Sequence, residues 1–511
     1  MISRSCSSQE TEPRPRPPAG PTRRSVLRGG AALAVSTTAI GAARDAAAQL
    51  SDLSPHTWAP WILGRASFGV TPPMVQEMKR RGVEGWVDWQ LEPQNIDDSA
   101  LEARLAGFDW LGLTAAQMNA HPTLQAWEIG HEGRGVRLLR ATFSERQLFE
   151  RIVEFWTDHF NIYGSADDTW LLKLVDDADV IRPHALGKFR DLLHATAKSP
   201  AMIAFLDNDT NIVGAAQENY AREVMELHTL GVTGPYTEDD VRELARCFSG
   251  WNYWKSWESE AQYGEFRFKP WEHDTESKQV LGIRIPSGGG LSDAETVLDH
   301  LSSHPSTVDF VTTKLARWFL GYAPPVAVIE QAKTRWVQTD GDIKEVVRTL
   351  LSQNSMAAAQ PWRNPKFKRP FHWAVSLFRA TGIDLPRPGD TIWTLFGAGQ
   401  VPYQWPAPNG YPDVAAAWTS LLMPRWGRAA NIGQGWEWST DHTNDDMRDL
   451  LGDAPMSRWA QVIADLLTSG TMPRREVNRI QAYINTFSNP TNQIVGESFE
   501  LVASSPGFGQ Y

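Results

Sequence analysis

Cysteine is almost missing from this chain of 511 residues, which has two, Cys6 and Cys247. A metal cluster built on several thiolates is therefore excluded. Long apolar runs are missing as well. No stretch of about 18 uninterrupted apolar residues occurs, so no membrane span is expected in the mature chain. Positive charge is scarce, with 49 Lys and Arg against 60 Asp and Glu and a net charge of −11. Such a surface repels phosphate backbones, and no basic cluster offsets it, so nucleic acid is not expected as a partner. There is no Gly-x-Ser-x-Gly elbow, no Walker loop, no Gly-x-Gly-x-x-Gly after a strand and no His-Glu-x-x-His. What is present is a folding composition, 42% apolar and 21% charged, with 23 tryptophans.

The first 48 residues read as an address. Thr22-Arg23-Arg24-Ser25-Val26-Leu27-Arg28 precedes an apolar stretch from Ala31 to Ala43, and Ala46-Ala47-Ala48 follows as a cleavage site. Paired arginines, a short apolar middle and small residues at the end are the anatomy of a twin-arginine export signal. Export by the twin-arginine translocase places the mature protein in the periplasm or outside the cell. Without residues 1–48 the chain keeps 42 basic and 57 acidic residues, and Cys247 is its one cysteine. With no internal disulfide, stability rests on the core.

Helical periodicity dominates the rest. Helices are expected from Pro72 through Trp89, over Ser144–Phe160 with Leu148, Ile152, Phe155, Trp156 and Phe160 on one side, and from Pro183 to about Ala197. Asn219–Leu230 is closed by Gly231, and Thr237 caps a further helix with Asp239 and Asp240 in its first turn. Alternation at Gly264-Glu265-Phe266-Arg267-Phe268-Lys269 predicts a small β-hairpin insertion within 251–286. Pro386 to Pro412 is irregular and too long for a simple connector. The expected fold is mainly α, a multi-helix globular body. Its main domain spans 49–355, and a C-terminal helical and loop-rich lobe, 356–511, is either separate or continuous with it.

Candidate chemistry concentrates between 155 and 282. His159 ends an aromatic helix, and Asp207 ends an apolar run. Asn219, Arg222, Glu223 and Glu226 recur at i, i+3, i+4 and i+7 and share one helix face, with His228 pointing elsewhere. One reading is a solvated face with an Arg222–Glu226 pair. The sharper one is a divalent metal held by His159, Glu223, Glu226 and His273, with Glu223, Glu226, Arg222 and Asp207 catalytic and Arg246 or Arg222 holding an anionic group. Trp251, Trp254 and Trp257, with Trp271, offer ring faces for stacking on a carbohydrate or other flat ligand, or form aromatic core.

The run from Glu218 to Trp251, with Gly64-Arg65-Ala66-Ser67-Phe68-Gly69, the 155–160 segment, Arg182-Pro183-His184 and His273-Asp274, resembles the bacterial domain-of-unknown-function 1800 family. Lys314-Leu315, Lys368-Arg369-Pro370 and Pro408-Asn409-Gly410-Tyr411-Pro412 extend the resemblance toward the C-terminus. It implies an exported, mostly helical protein and no activity. His159 followed by Met225–Leu230 and Arg242–Arg246 also resembles animal-type haem peroxidases, although their Arg-Glu-His-Asn segment is missing. The expectation is thus a metal- or cofactor-dependent enzyme acting on a small molecule or polymer. Its alternatives are a non-catalytic envelope protein binding carbohydrate or protein through the aromatic loop, and a haem oxidoreductase.

Overall fold

The computed structural model describes residues 59–511 apart from 167–168, 362, 436–439 and 490, so the expected export signal at 1–48 lies outside the described residues. Mainly α architecture is observed. The elements that position the site are α1 (Ala126–Phe143), α2 (Gln147–His159), α3 (Asn219–Glu223), α4 (Glu238–Phe248), α5 (Leu291–Ser303), α6 (Pro305–Leu320), α7 (Pro370–Thr381) and α8 (Pro388–Gly397). Two antiparallel strand pairs interrupt the helices: β1 (Trp251–Tyr253) with β2 (Phe266–Phe268), and β3 (Lys278–Val280) with β4 (Ile283–Ile285). Trp251 lies opposite Phe268, and Lys278 opposite Ile285. The expected single hairpin is thus two, the second lying against α4.

Helix α2 runs through the middle of the core, with eleven of its thirteen residues buried. Its apolar side, Leu148, Ile152, Phe155 and Trp156, packs as the periodicity predicts. Its start is fixed by side chains that take up orphan backbone groups. The Leu148 N–H donates to Gln90 Oε1 at 3.0 Å, and the Gln147 amide donates to the Ala141 and Ser144 carbonyls.

The opposite face is also buried, and it is acidic. Glu150, Glu154 and Asp158 stand at i, i+4 and i+8, one above another. Glu150 meets Arg137 of α1 at 2.6 Å and Arg182 at 2.5 Å. Glu154 meets Arg151 at 2.5 Å and Arg369, and Arg369 also reaches Asp158 at 2.5 Å. Burial alone would raise the Glu150 carboxyl, but Arg182 and Arg137 outweigh it and hold it near 2. Buried carboxylates persist only when paired and hydrogen-bonded in this way.

Arg369 is the residue before Pro370, which opens α7 at a position where its missing N–H costs nothing. Lys366 donates to the Arg317 and Trp318 carbonyls at the end of α6 and pairs with Asp413 at 2.6 Å. An amine at a helix C-terminus satisfies carbonyls the helix leaves unpaired. Arg379 of α7 donates to Gly69 O at 3.0 Å. Chain beyond residue 356 is therefore fastened to the helices before it at several buried points.

Some expected elements differ. Asn219–Leu230 is not one α-helix: α3 passes into a π turn, Val224–Thr229, in which Leu230 N donates to Met225 O and the Thr229 hydroxyl to Val224 O. The helix from Pro183 is split into Arg182–His184 and Phe189–Ala197. The irregular 386–412 region contains α8, opened by Pro388 and packed on α1. Thr237 caps α4 as expected, in a reciprocal box with Asp240.

Replacing Arg369 by Met leaves Glu154 short of a cation and Asp158 with none. Urea unfolding should show a loss of about 3–5 kcal/mol, whereas a loss below about 1 kcal/mol would mean the pairs are dispensable.

Candidate functional site

The C-terminal end of α2, one face of α6 and the loop after α8 enclose a cleft of about 250 Å³, lined by Phe155, Asp158, His159, Lys314, Arg317, Trp318 and the stretch Asn409 to Val414. The loop is held tightly. Asn161 donates to the Trp405 and Ala407 carbonyls at 3.0 and 2.7 Å, and the Tyr411 hydroxyl donates to Val401 O while accepting from Val401 N. Gly410, at φ 70°, passes so close to α2 that a Cβ there would sit 2.0 Å from the Asp158 carbonyl oxygen. Only glycine fits both that conformation and that approach.

Inside the cleft the ionisable groups are ordered by their partners. Asp158 is bound to Arg369 and Asp413 to Lys366. Burial still raises the Asp158 carboxyl despite Arg369. The His159 ring is buried among Phe155, Trp156 and Phe160. Its Nε2 lies 3.1 Å from the His228 carbonyl oxygen and so carries the proton, which leaves the Nδ1 lone pair to accept from Lys314 Nζ at 2.9 Å. Burial, then Lys314, then His228 hold His159 far below the ordinary histidine range. His228 is likewise pushed down to about 3 by burial and by Lys314, and its buried Nε2 has no hydrogen-bond partner among the described residues. Lys314 itself is lowered to about 8, first by burial; Asp158 and Asp413 oppose that, and Arg317 adds to it. The arrangement presents an amine that loses its proton near neutral pH, aimed by a neutral imidazole. Arg317, one turn further along α6, has no ion pair or side-chain hydrogen bond to another described residue.

The other residues singled out from the sequence lie elsewhere. His159, Glu223, Glu226 and His273 do not come together: among the described residues no group of three or more His, Cys, Asp or Glu is arranged to hold a metal ion. Arg222 reaches Glu218, Glu238 and, at 3.6 Å, Glu226. Glu223 is half-buried, and burial followed by the Glu226 charge raises its carboxyl. Asp207 sits exposed in a left-handed turn, where its neighbour Asn208 holds the Phe248 and Trp251 carbonyls. Arg246 is closed by Asp274 and Glu243 and is not open to a ligand anion. Trp251 is fully buried between Phe248 and Phe266, Trp254 lies under the Arg267 guanidinium, and Trp257 and Trp271 are 70% and 74% exposed. Cys247 is buried, and burial pushes its thiol up to about 12, consistent with packing.

Ser249, His273 and Asp293 carry the residue types of a hydrolytic triad and lie in contact, but the hydrogen bonds run the wrong way. His273 Nδ1 donates to the Ser249 carbonyl at 2.8 Å, so it cannot take the Ser249 proton. The Ser249 hydroxyl donates to Arg246 O, and Asp293 is shared with buried Lys278 at 2.7 Å. This cluster clamps α4, β3 and α5 together.

A sequence profile described as protein of unknown function (DUF1800) matches residues 61–510. The chain belongs to that family. No curated protein and no solved structure matches it. The family's description carries no activity, so function is argued from the cleft. Reading the sequence found His159 and, without a role, Lys314, Arg369 and Asn409-Gly410-Tyr411. It missed Asp158, Arg317 and Asp413. The available signal was Lys314 and Arg317 at i, i+3 on the apolar helix Pro305–Leu320.

His159 and His228 remain neutral in the folded chain, while in the unfolded chain they take protons at about 6.5. The unfolded state therefore binds more protons below that pH, and stability falls on acidification. For each ring the slope is about 1.4 kcal/mol per pH unit. Urea titrations between about pH 6.5 and 5 should show His228→Phe losing stability less steeply than the parent by that amount. Equal slopes would mean that His228 is protonated in the fold.

Proposed function

We propose that this protein is an enzyme that works in the α2–α6 cleft with the Lys314 amine as its reacting group. The observation that supports this is the setting of Lys314: it lies in a cleft, its hydrogen-bond partner is a neutral imidazole, and no carboxylate among the described residues forms an ion pair with it. Desolvation together with a neighbouring cation is the means by which a lysine becomes a base or nucleophile near neutral pH. His159 orients the amine, its own ring fixed by the His228 carbonyl. Phe155, Trp318 and Tyr411 supply the apolar walls expected of a small-molecule site.

Residues 1–48 are read as a twin-arginine export signal, so the activity is proposed to operate in the periplasm or outside the cell. A divalent metal on His159 is not part of this reading, because both ring nitrogens are committed to protein partners. The exposed Trp257 and Trp271 favour a second reading, a polymer-binding surface on the β insertion.

The test is turnover. Purified protein is incubated with a small-molecule extract, and consumed compounds are followed by mass spectrometry. Lys314→Met should abolish consumption, while Glu223→Gln and Glu226→Gln retain it. Consumption by Lys314→Met equal to that of the parent, or loss in the two glutamate variants alone, would overturn the assignment.

A further inference from the structure

Charge in the cleft is unevenly spent. Its two acids are already neutralised, Asp158 by Arg369 at 2.5 Å and Asp413 by Lys366 at 2.6 Å. Its two cations are not. Lys314 is bonded to a neutral ring, and the Arg317 guanidinium has no ion pair or hydrogen bond among the described residues. The two stand one helical turn apart on α6, where side chains are neighbours at about 5–6 Å between Cβ atoms. A guanidinium held open beside an apolar wall is a carboxylate receptor, since its planar fork matches that group with two hydrogen bonds.

An amine can be a nucleophile toward two kinds of carbon. Attack on an acyl group leaves a stable amide, a dead end for an enzyme. Attack on a ketone or aldehyde leaves a carbon–nitrogen double bond that water readily reverses, which is how lysine serves in catalysis. We infer that the cleft takes a small anionic carbonyl compound, a 2-oxo acid, whose carboxylate pairs with Arg317 and whose carbonyl carbon is bonded by Lys314 Nζ. This rests on the reading of Lys314 as the reacting group.

In the step itself the lone pair of the neutral amine forms a C–N bond to the carbonyl carbon. The carbonyl oxygen takes up the displaced electron pair, is protonated to hydroxyl by the amine proton and solvent, and leaves as water. The product is a protonated imine, with no change in oxidation state. The His159 Nδ1 lone pair accepts one amine hydrogen and so directs the nitrogen lone pair away from the ring, toward the cleft. His159 is thus a positioning residue.

The full chain is incubated with pyruvate and sodium cyanoborohydride at pH 8, and the modified lysines are mapped by peptide mass spectrometry. Cyanoborohydride delivers hydride to the imine carbon and fixes the adduct as a secondary amine. Lys314 should be the dominant site, and Lys314→Arg should lose the adduct. Arg317→Gln should lower trapping of pyruvate at Lys314 roughly tenfold or more relative to trapping of neutral acetone at the same amine, a ratio from which the loss of the Arg317 charge beside Lys314 cancels. Trapping spread evenly over surface lysines, or acetone matching pyruvate at Lys314, would overturn the inference. Acetic anhydride, a neutral acylating reagent, separates the two levels. If it modifies Lys314 with a midpoint near pH 8 while pyruvate does not, the substrate class is wrong and the reactive amine stands. If neither reagent reaches Lys314, both fall.

Discussion

Three carboxylates on one face of a helix that runs through the core cannot be left alone. Glu150, Glu154 and Asp158 demand cations, and those come from Arg137 on α1, Arg182, and Arg369 at the start of α7. Arg137 ties α2 to the helix before it, whereas the Arg369 pairs join it to a segment more than 200 residues away. Buried pairs of this kind add little net stability compared with apolar packing, but breaking one is costly. Their structural consequence is register. Arg369 bridges Glu154 and Asp158 and so fixes the last turn of α2 relative to α7. That last turn carries His159.

The chemistry of the cleft follows from the same placement. Because Arg369 and Lys366 take up the two acids, no carboxylate among the described residues pairs directly with the Lys314 ammonium, and burial lowers it to about 8. Because His228 offers its carbonyl to His159 Nε2, the ring turns its Nδ1 lone pair to the amine. The glycine at 410 lets the 398–414 loop close against the Asp158 carbonyl and complete the wall. Each of these is a constraint on polar groups that apolar burial alone would not impose.

The apolar pattern was legible, because periodicity reports which face is buried. Leu148, Ile152, Phe155 and Trp156 placed α2, and Thr237 with Asp240 placed the start of α4. Periodicity does not report when the polar face is buried too. Glu150, Glu154 and Asp158 look in sequence like a solvated stripe, and only their distant arginines show otherwise. The π turn at Val224–Thr229 was invisible for a related reason: its sequence has ordinary helical spacing, and nothing in it marks the turn where the Leu230 N–H reaches five residues back to Met225 O. Among the described residues His159, Glu223, Glu226 and His273 form no metal-holding group, and spacing along the sequence does not report which distant residues the chain path brings together. His159 is joined instead to Lys314, 155 residues away.

The most direct test is the protonation of Lys314 itself. Protein carrying carbon- and nitrogen-labelled lysine is titrated by NMR, with Lys314→Arg to assign the signal. The account predicts a midpoint of about 8 for this amine. A midpoint at the ordinary lysine value of about 10.4 would contradict it.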